Sequence, residues 1–176
     1  MGSVGSAATR LVVLRGNSAS GKTSTALAVR AQLGRTCALV QQDVLRRTVL
    51  KERDVPGGFN IGLISTVARY ALDHGYHVIV EGILSAERYT AMLTQLADDH
   101  RGATWFYYLD VPFAETVRRH GTRPQAAEFG EQDMREWYRP GDLLGLPGEQ
   151  VIPASSALEE TAARILAEVF GAGPTR

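Results

Sequence analysis

The chain has 176 residues, 44% hydrophobic and 22% charged, which suits one domain with a buried core and excludes a disordered polypeptide. Nineteen Lys and Arg balance nineteen Asp and Glu, so no net field favours nucleic acid or an anionic membrane. A single cysteine, Cys37, excludes an intramolecular disulfide scaffold, and no stretch approaches the ~18 apolar residues of a membrane span.

Residues 1–10, MGSVGSAATR, lack an apolar signal segment. Gly2 and Ser6 match the N-myristoylation pattern, but the segment reads more simply as a flexible leader, and a cytoplasmic protein is expected. Leu11–Arg15 is a first strand, ending at Gly16. Lys22–Leu33 has a helical apolar pattern, with Gly34 placed to stop it. Cys37–Gln41 is a second strand, with Cys37 in the core, that delivers Gln42 and Asp43 at its carboxyl end. A short helix is expected over Val44–Lys51, then a break at Pro56-Gly57-Gly58. Asn60 is placed to cap the next helix, which presents Ile61, Ile64, Val67, Ala68, Ala71 and Leu72 and stops at Gly75.

His77–Val80 is a third strand followed by Glu81 and Gly82, and Ala86–Asp99 is another helix. Thr104–Leu109 is a fourth strand, Phe113–His120 a helix, and Gly121–Gly130 a polar loop. A short helix over Glu131–Tyr138 and a strand over Gln150–Pro153 follow. Ser156 and Glu159 suggest a capping box for a last helix, Ala157–Phe170. This alternation predicts an α/β fold: a doubly wound, five-stranded parallel sheet with helices on both faces. The expected domain runs over residues 11–170, with a lid at about 119–148 and a tail at 171–176. Ligands of such folds gather at the carboxyl ends of the strands.

Gly16–Thr23 reads GNSASGKT, an uninterrupted G-x-x-x-x-G-K-[ST] between a strand and a helix. Glycines admit close backbone approach, and successive N–H groups form an anion nest at a helix N-terminus. The nucleotide-binding set is therefore Gly16, Asn17, Ser18, Ala19, Ser20, Gly21, Lys22, Thr23 and Ser24. Lys22 would reach the β- and γ-phosphates of ATP, and the Thr23 hydroxyl would ligate Mg²⁺. Asp54–Gly57 fits the D-x-x-G pattern of GTPases but precedes a helix, and no N-K-x-D motif occurs. A motor or AAA-type ATPase is expected to need a larger module.

Asp43 stands where a carboxylate can take the proton of an attacking hydroxyl, and Arg46, one turn on, could clamp a phosphate. Glu81, at the end of the third strand, could hold Mg²⁺ through water. Arg119 and Arg123 flank Gly121 at the start of the polar loop, where they could close over the triphosphate, with Arg118 a competitor. Glu131, Asp133, Arg135, Glu136, Trp137, Tyr138 and Arg139 are weaker candidates for an acceptor pocket. The four histidines show no metal-ligand spacing.

These features resemble the small P-loop kinases, in particular the group containing chloramphenicol phosphotransferase, zeta-toxin-like kinases and polynucleotide 5′-kinases. The resemblance implies ATP, a general-base role for Asp43, an Asp-x-x-Arg pair in Asp43 and Arg46, and paired lid arginines in Arg119 and Arg123. The chain departs from polynucleotide kinases in being short and formally neutral, with Glu115, Glu128 and Glu131 near the expected lid. A small-molecule hydroxyl acceptor (an antibiotic-like alcohol, a nucleoside or a sugar) is therefore expected over a nucleic-acid end, with no membrane partner. A non-catalytic nucleotide-binding switch is the remaining alternative.

Overall fold

Leu11, Val12, Val13 and Leu14 have no solvent exposure, as a strand covered on both faces requires. In the computed structural model, which describes residues 2–122 and 128–171, they belong to β1 (Arg10–Arg15), the middle of the sheet. The other strands are β2 (Cys37–Gln41), β3 (His77–Gly82), β4 (Ala103–Asp110) and β5 (Gln150–Pro153). Their order is β2-β3-β1-β4-β5, and every pairing is parallel. The expected five-stranded, doubly wound α/β sheet is the fold the chain adopts.

Alternation along β1 divides the core. Leu11 and Val13 pack with Ile64, Ala68 and Leu72 of α2 (Phe59–Asp73) and Leu93 and Leu96 of α3 (Ala86–Asp99). Val12 and Leu14 pack on the other face, with Ala26 and Val29 of α1 (Lys22–Leu33) and Ala162, Ile165 and Val169 of α6 (Leu158–Phe170). Each fully buried Leu or Ile contributes roughly 1.5–3 kcal/mol, so both faces are fixed by burial. Two shorter helices, α4 (Phe113–His120) and α5 (Glu131–Trp137), lie between β4 and β5. Among the described residues no helix is long and apolar enough to cross a membrane.

Several local expectations are corrected. Residues 2–9 do not form a flexible leader: Val4 is buried and bridges to His100, the Gly5 N–H donates to Asp73, and Thr9 Oγ1 lies 3.0 Å from His100 Nε2. The short helix after Asp43 has π-type geometry and covers Val44–Val49. Asn60 does not cap α2 but sits buried in its first turn, where the Glu52 carboxylate accepts from the Phe59 and Asn60 N–H groups. At α6, Glu160 rather than Glu159 closes the first turn by accepting from the Ala157 N–H at 3.0 Å, while Ser156 pairs with Thr161.

Candidate active site

The loop between β1 and α1 is shaped by backbone conformations that few side chains allow. Gly16 and Gly21 have φ of 145° and 105°. A Cβ on Gly16 would stand 2.7 Å from the Leu109 carbonyl oxygen, so the loop is pressed against β4. Gly21 precedes α1 without a side-chain cap, leaving the first-turn N–H groups for an anion. Lys22 is buried, and its ammonium lies 2.7 Å from the Asn17 carbonyl oxygen and 3.3 Å from Ser20 Oγ.

Two cavities open on opposite sides of this loop. One, of about 400 Å³, lies between Ser20, Gly21, Arg119 and the Ile152–Leu158 segment. The other, of about 490 Å³, is bordered by Lys22, Thr23, Gln41, Asp43, Arg47, Glu81 and Phe129 among others. The loop can therefore hold a polyphosphate with one ligand end on each side.

Thr23 and Glu81 lie side by side: Thr23 Oγ1 donates to Glu81 Oε1 at 2.9 Å, and Glu81 is 5% exposed. A hydroxyl and a carboxylate are hard oxygen donors, and Mg²⁺ takes few protein ligands together with phosphate oxygens. The pair fits Mg²⁺, which Thr23 and Glu81 would hold. Among the described residues there is no cluster of three His, Cys, Asp or Glu that would suit a fully protein-ligated metal.

Asp43 borders the second cavity with its side chain 63% exposed. Arg46 is turned away from the position of a phosphate clamp: it donates to Asp43 Oδ1 at 2.8 Å and to the Glu52 carbonyl at 3.2 Å. Arg47, the next residue, borders the cavity and pairs with Glu128 at 3.0 Å.

Arg119 lies at the first cavity, with contacts of 3.3 Å to both the Ser20 and Ala154 carbonyls. Glu115 holds it there at 2.7 Å and also binds Arg118, whose side chain is otherwise exposed. Hydrogen bonds from Arg118 and then Arg119 pull the Glu115 carboxyl down to about 2. Arg123 lies outside the described residues. The α5 candidates make local pairs, Arg135 with Glu131 and Asp133 with the Gly130 N–H, and do not border the second cavity. Asp54 of the D-x-x-G match is engaged by Tyr89 and Arg88.

Three supporting contacts were not foreseen from the sequence, although Asn17 was placed in the nucleotide loop and Gln42 at a strand end. Arg15 is fully buried and reaches Glu149 at 2.9 Å, Asp142 at 3.2 Å and the Leu84 carbonyl at 2.9 Å. Burial pulls the Arg15 guanidinium below its usual value, against the opposing pull of both carboxylates. Asn17 exchanges two hydrogen bonds of 2.8 Å with the backbone of Arg139, tying the phosphate loop to the chain that follows α5. Gln42 is buried and donates to the Tyr89 hydroxyl at 2.7 Å, which donates to Asp54. A polar residue at a strand end or within the loop motif does not reveal its partner.

A family model described as AAA domain matches residues 11–139. The chain belongs to this family. The match lies within the single five-stranded domain. No curated protein matches this AAA-domain chain in sequence. Solved structures do. The Mycobacterium tuberculosis APS kinase in complex with AMPPNP and APS has a TM-score of 0.70 at 20% identity, covering 93% of this chain and 96% of that one. A sugar kinase from Janibacter sp. HTCC2649 has a TM-score of 0.66 at 19% identity, covering 96% and 99%. A chain of the Pnkp1/Rnl/Hen1 RNA repair complex has a TM-score of 0.52 at 17% identity, covering 79% and 50%. At these identities the likeness shows the fold, which this AAA-domain chain shares with small P-loop kinases.

Proposed function

We propose that the protein is an ATP- and Mg²⁺-dependent phosphotransferase that moves the γ-phosphoryl group to a hydroxyl of a small molecule. One observation carries this reading: Lys22, Thr23 and the exposed carboxylate of Asp43 border one cavity, while the same loop borders a second cavity on its far side. The nucleotide base and ribose occupy the Arg119 side, and the acceptor enters the Asp43 side. When bound, Mg²⁺ supplies charge neutralisation at the β- and γ-phosphates. The loop N–H groups and Lys22 bind the phosphate oxygens, and Arg119 closes the nucleotide side.

Asp43 accepts the acceptor's hydroxyl proton as its oxygen bonds to the γ-phosphorus and the bond to the bridging oxygen of ADP breaks. Arg46 serves this step by holding Asp43 through one oxygen, leaving the other for the hydroxyl. A cytoplasmic location accords with the need for ATP.

The fold shared with the RNA repair chain supports a second reading, a kinase of nucleic-acid 5′ ends. Against it stand Asp43 and Glu128 at the acceptor cavity, which would oppose a long polyanion. Labelled γ-phosphate transfer over sugars, nucleosides, antibiotic-like alcohols and 5′-hydroxyl oligonucleotides tests these readings. Transfer to a small alcohol is expected. Transfer confined to oligonucleotides would favour the second reading, and ATP binding without transfer to any acceptor would favour a non-catalytic switch.

A further inference from the structure

We infer that Gln41 is the positioning residue of the metal-binding pair Thr23 and Glu81. The inference rests on the Mg²⁺-nucleotide part of the proposed function and not on the identity of the acceptor. Gln41 is the last residue of β2, and the parallel register sets it directly beside Glu81 of β3. Side chains at paired positions leave the same face of a sheet, so the register alone brings the amide to the carboxylate. Gln41 Nε2 donates to Glu81 Oε1 at 2.8 Å, the same oxygen that accepts from Thr23 Oγ1 at 2.9 Å. The amide must present its nitrogen here, because its oxygen would face a carboxylate oxygen.

This arrangement fixes two features a cation needs. The Thr23 hydroxyl commits its single proton to Glu81, which leaves its lone pairs for the metal. The buried Glu81 carboxylate is held from the opposite side by Gln41, so its second oxygen has one orientation in the cavity instead of several. Outer hydrogen bonds of this kind orient metal ligands, and their loss typically weakens metal binding by about 10–100-fold.

The test is calorimetric binding of ADP to the full chain across a Mg²⁺ titration and in EDTA, for wild type, Gln41→Leu and Gln41→Ala. The Leu variant keeps most of the volume. The Ala variant decides the matter if Leu lowers the melting temperature. The expected result is a rise of about tenfold or more in the Mg²⁺ concentration giving half-maximal enhancement of ADP binding, with ADP affinity in EDTA within about twofold of wild type. A purely structural role would move the melting temperature and the metal-free affinity instead. An unchanged Mg²⁺ requirement in both variants overturns the inference, and a raised acceptor KM alone would reassign Gln41 to acceptor binding. Absence of phosphoryl transfer with the Mg²⁺ effect intact would remove the phosphotransferase reading and leave this one standing.

Discussion

Lys22 already spends its ammonium on the Asn17 carbonyl and Ser20, so an arriving triphosphate must draw it from contacts within its own loop. These contacts place the ammonium at the loop before nucleotide arrives, which is the preorganisation that charge stabilisation at a phosphoryl group needs. Lys22→Ala is expected to lower turnover by about 10²–10³-fold or more, measured as kcat with saturating ATP. Gly16 carries a steric requirement of another kind. Gly16→Ala drives a methyl against the Leu109 carbonyl, so loss of nucleotide binding is expected, read by calorimetry. Glu115 differs again, because its two arginine partners hold its folded carboxyl at about 2. Its contribution is fully present above the ordinary carboxylate range and is lost as pH falls through about 2. An NMR titration should therefore find it ionised at pH 4, with Arg119 still held at the nucleotide side.

At the level of elements, Arg15 connects the end of β1 to the chain between α5 and β5. Its guanidinium has no exposure, and Glu149 is nearly as buried, so Arg15→Met would strand carboxylates. Such a loss typically costs about 3–5 kcal/mol, and denaturant unfolding should show it. The docked N-terminal segment responds to acid. Burial, and then the Arg10 charge, lower the folded value for His100, whose imidazole touches Thr9 and Thr104. A depressed histidine contributes stability above its unfolded value near 6.5, and that stability is lost as pH falls through the lower folded value. Exchange protection of residues 4–9, corrected for the intrinsic exchange rate, should fall as pH drops below the unfolded histidine value, before the sheet opens.

The elements also show what a sequence can disclose. The bounds of α1, α3 and α4 follow from apolar periodicity, with a glycine after α1 and α4, and they match the structure. Asn60 and Ser156 are natural caps by residue type, yet the caps come from Glu52 and Glu160, one reaching across the intervening turn and one through a single-residue shift. Val4 gave no periodic signal, because a single bridge to His100 is enough to anchor it.

Across the whole molecule, the parallel sheet carries its chemistry at the carboxyl ends of β1, β2 and β3, which bring the phosphate loop, Asp43 and Glu81 to one cavity. Strand-end placement made these residues legible. Strand register did not, so Gln41 beside Glu81 and Arg15 beneath Asp142 emerge only from the assembled sheet. Balanced net charge becomes local at this scale: Arg47, which borders the Asp43 cavity, and its neighbour Arg46 are each paired with a carboxylate. Acceptor KM should accordingly be nearly indifferent to salt between 50 and 200 mM, whereas a polyanionic acceptor would lose affinity steeply.

In the proposed function Asp43 serves transfer and not nucleotide binding. The direct measurement is the rate of labelled γ-phosphate transfer by Asp43→Asn beside its ATP affinity, with the best acceptor from the screen. The prediction is a kcat lowered by about 10²–10⁴-fold with unchanged ATP affinity. Transfer at the wild-type rate would contradict it.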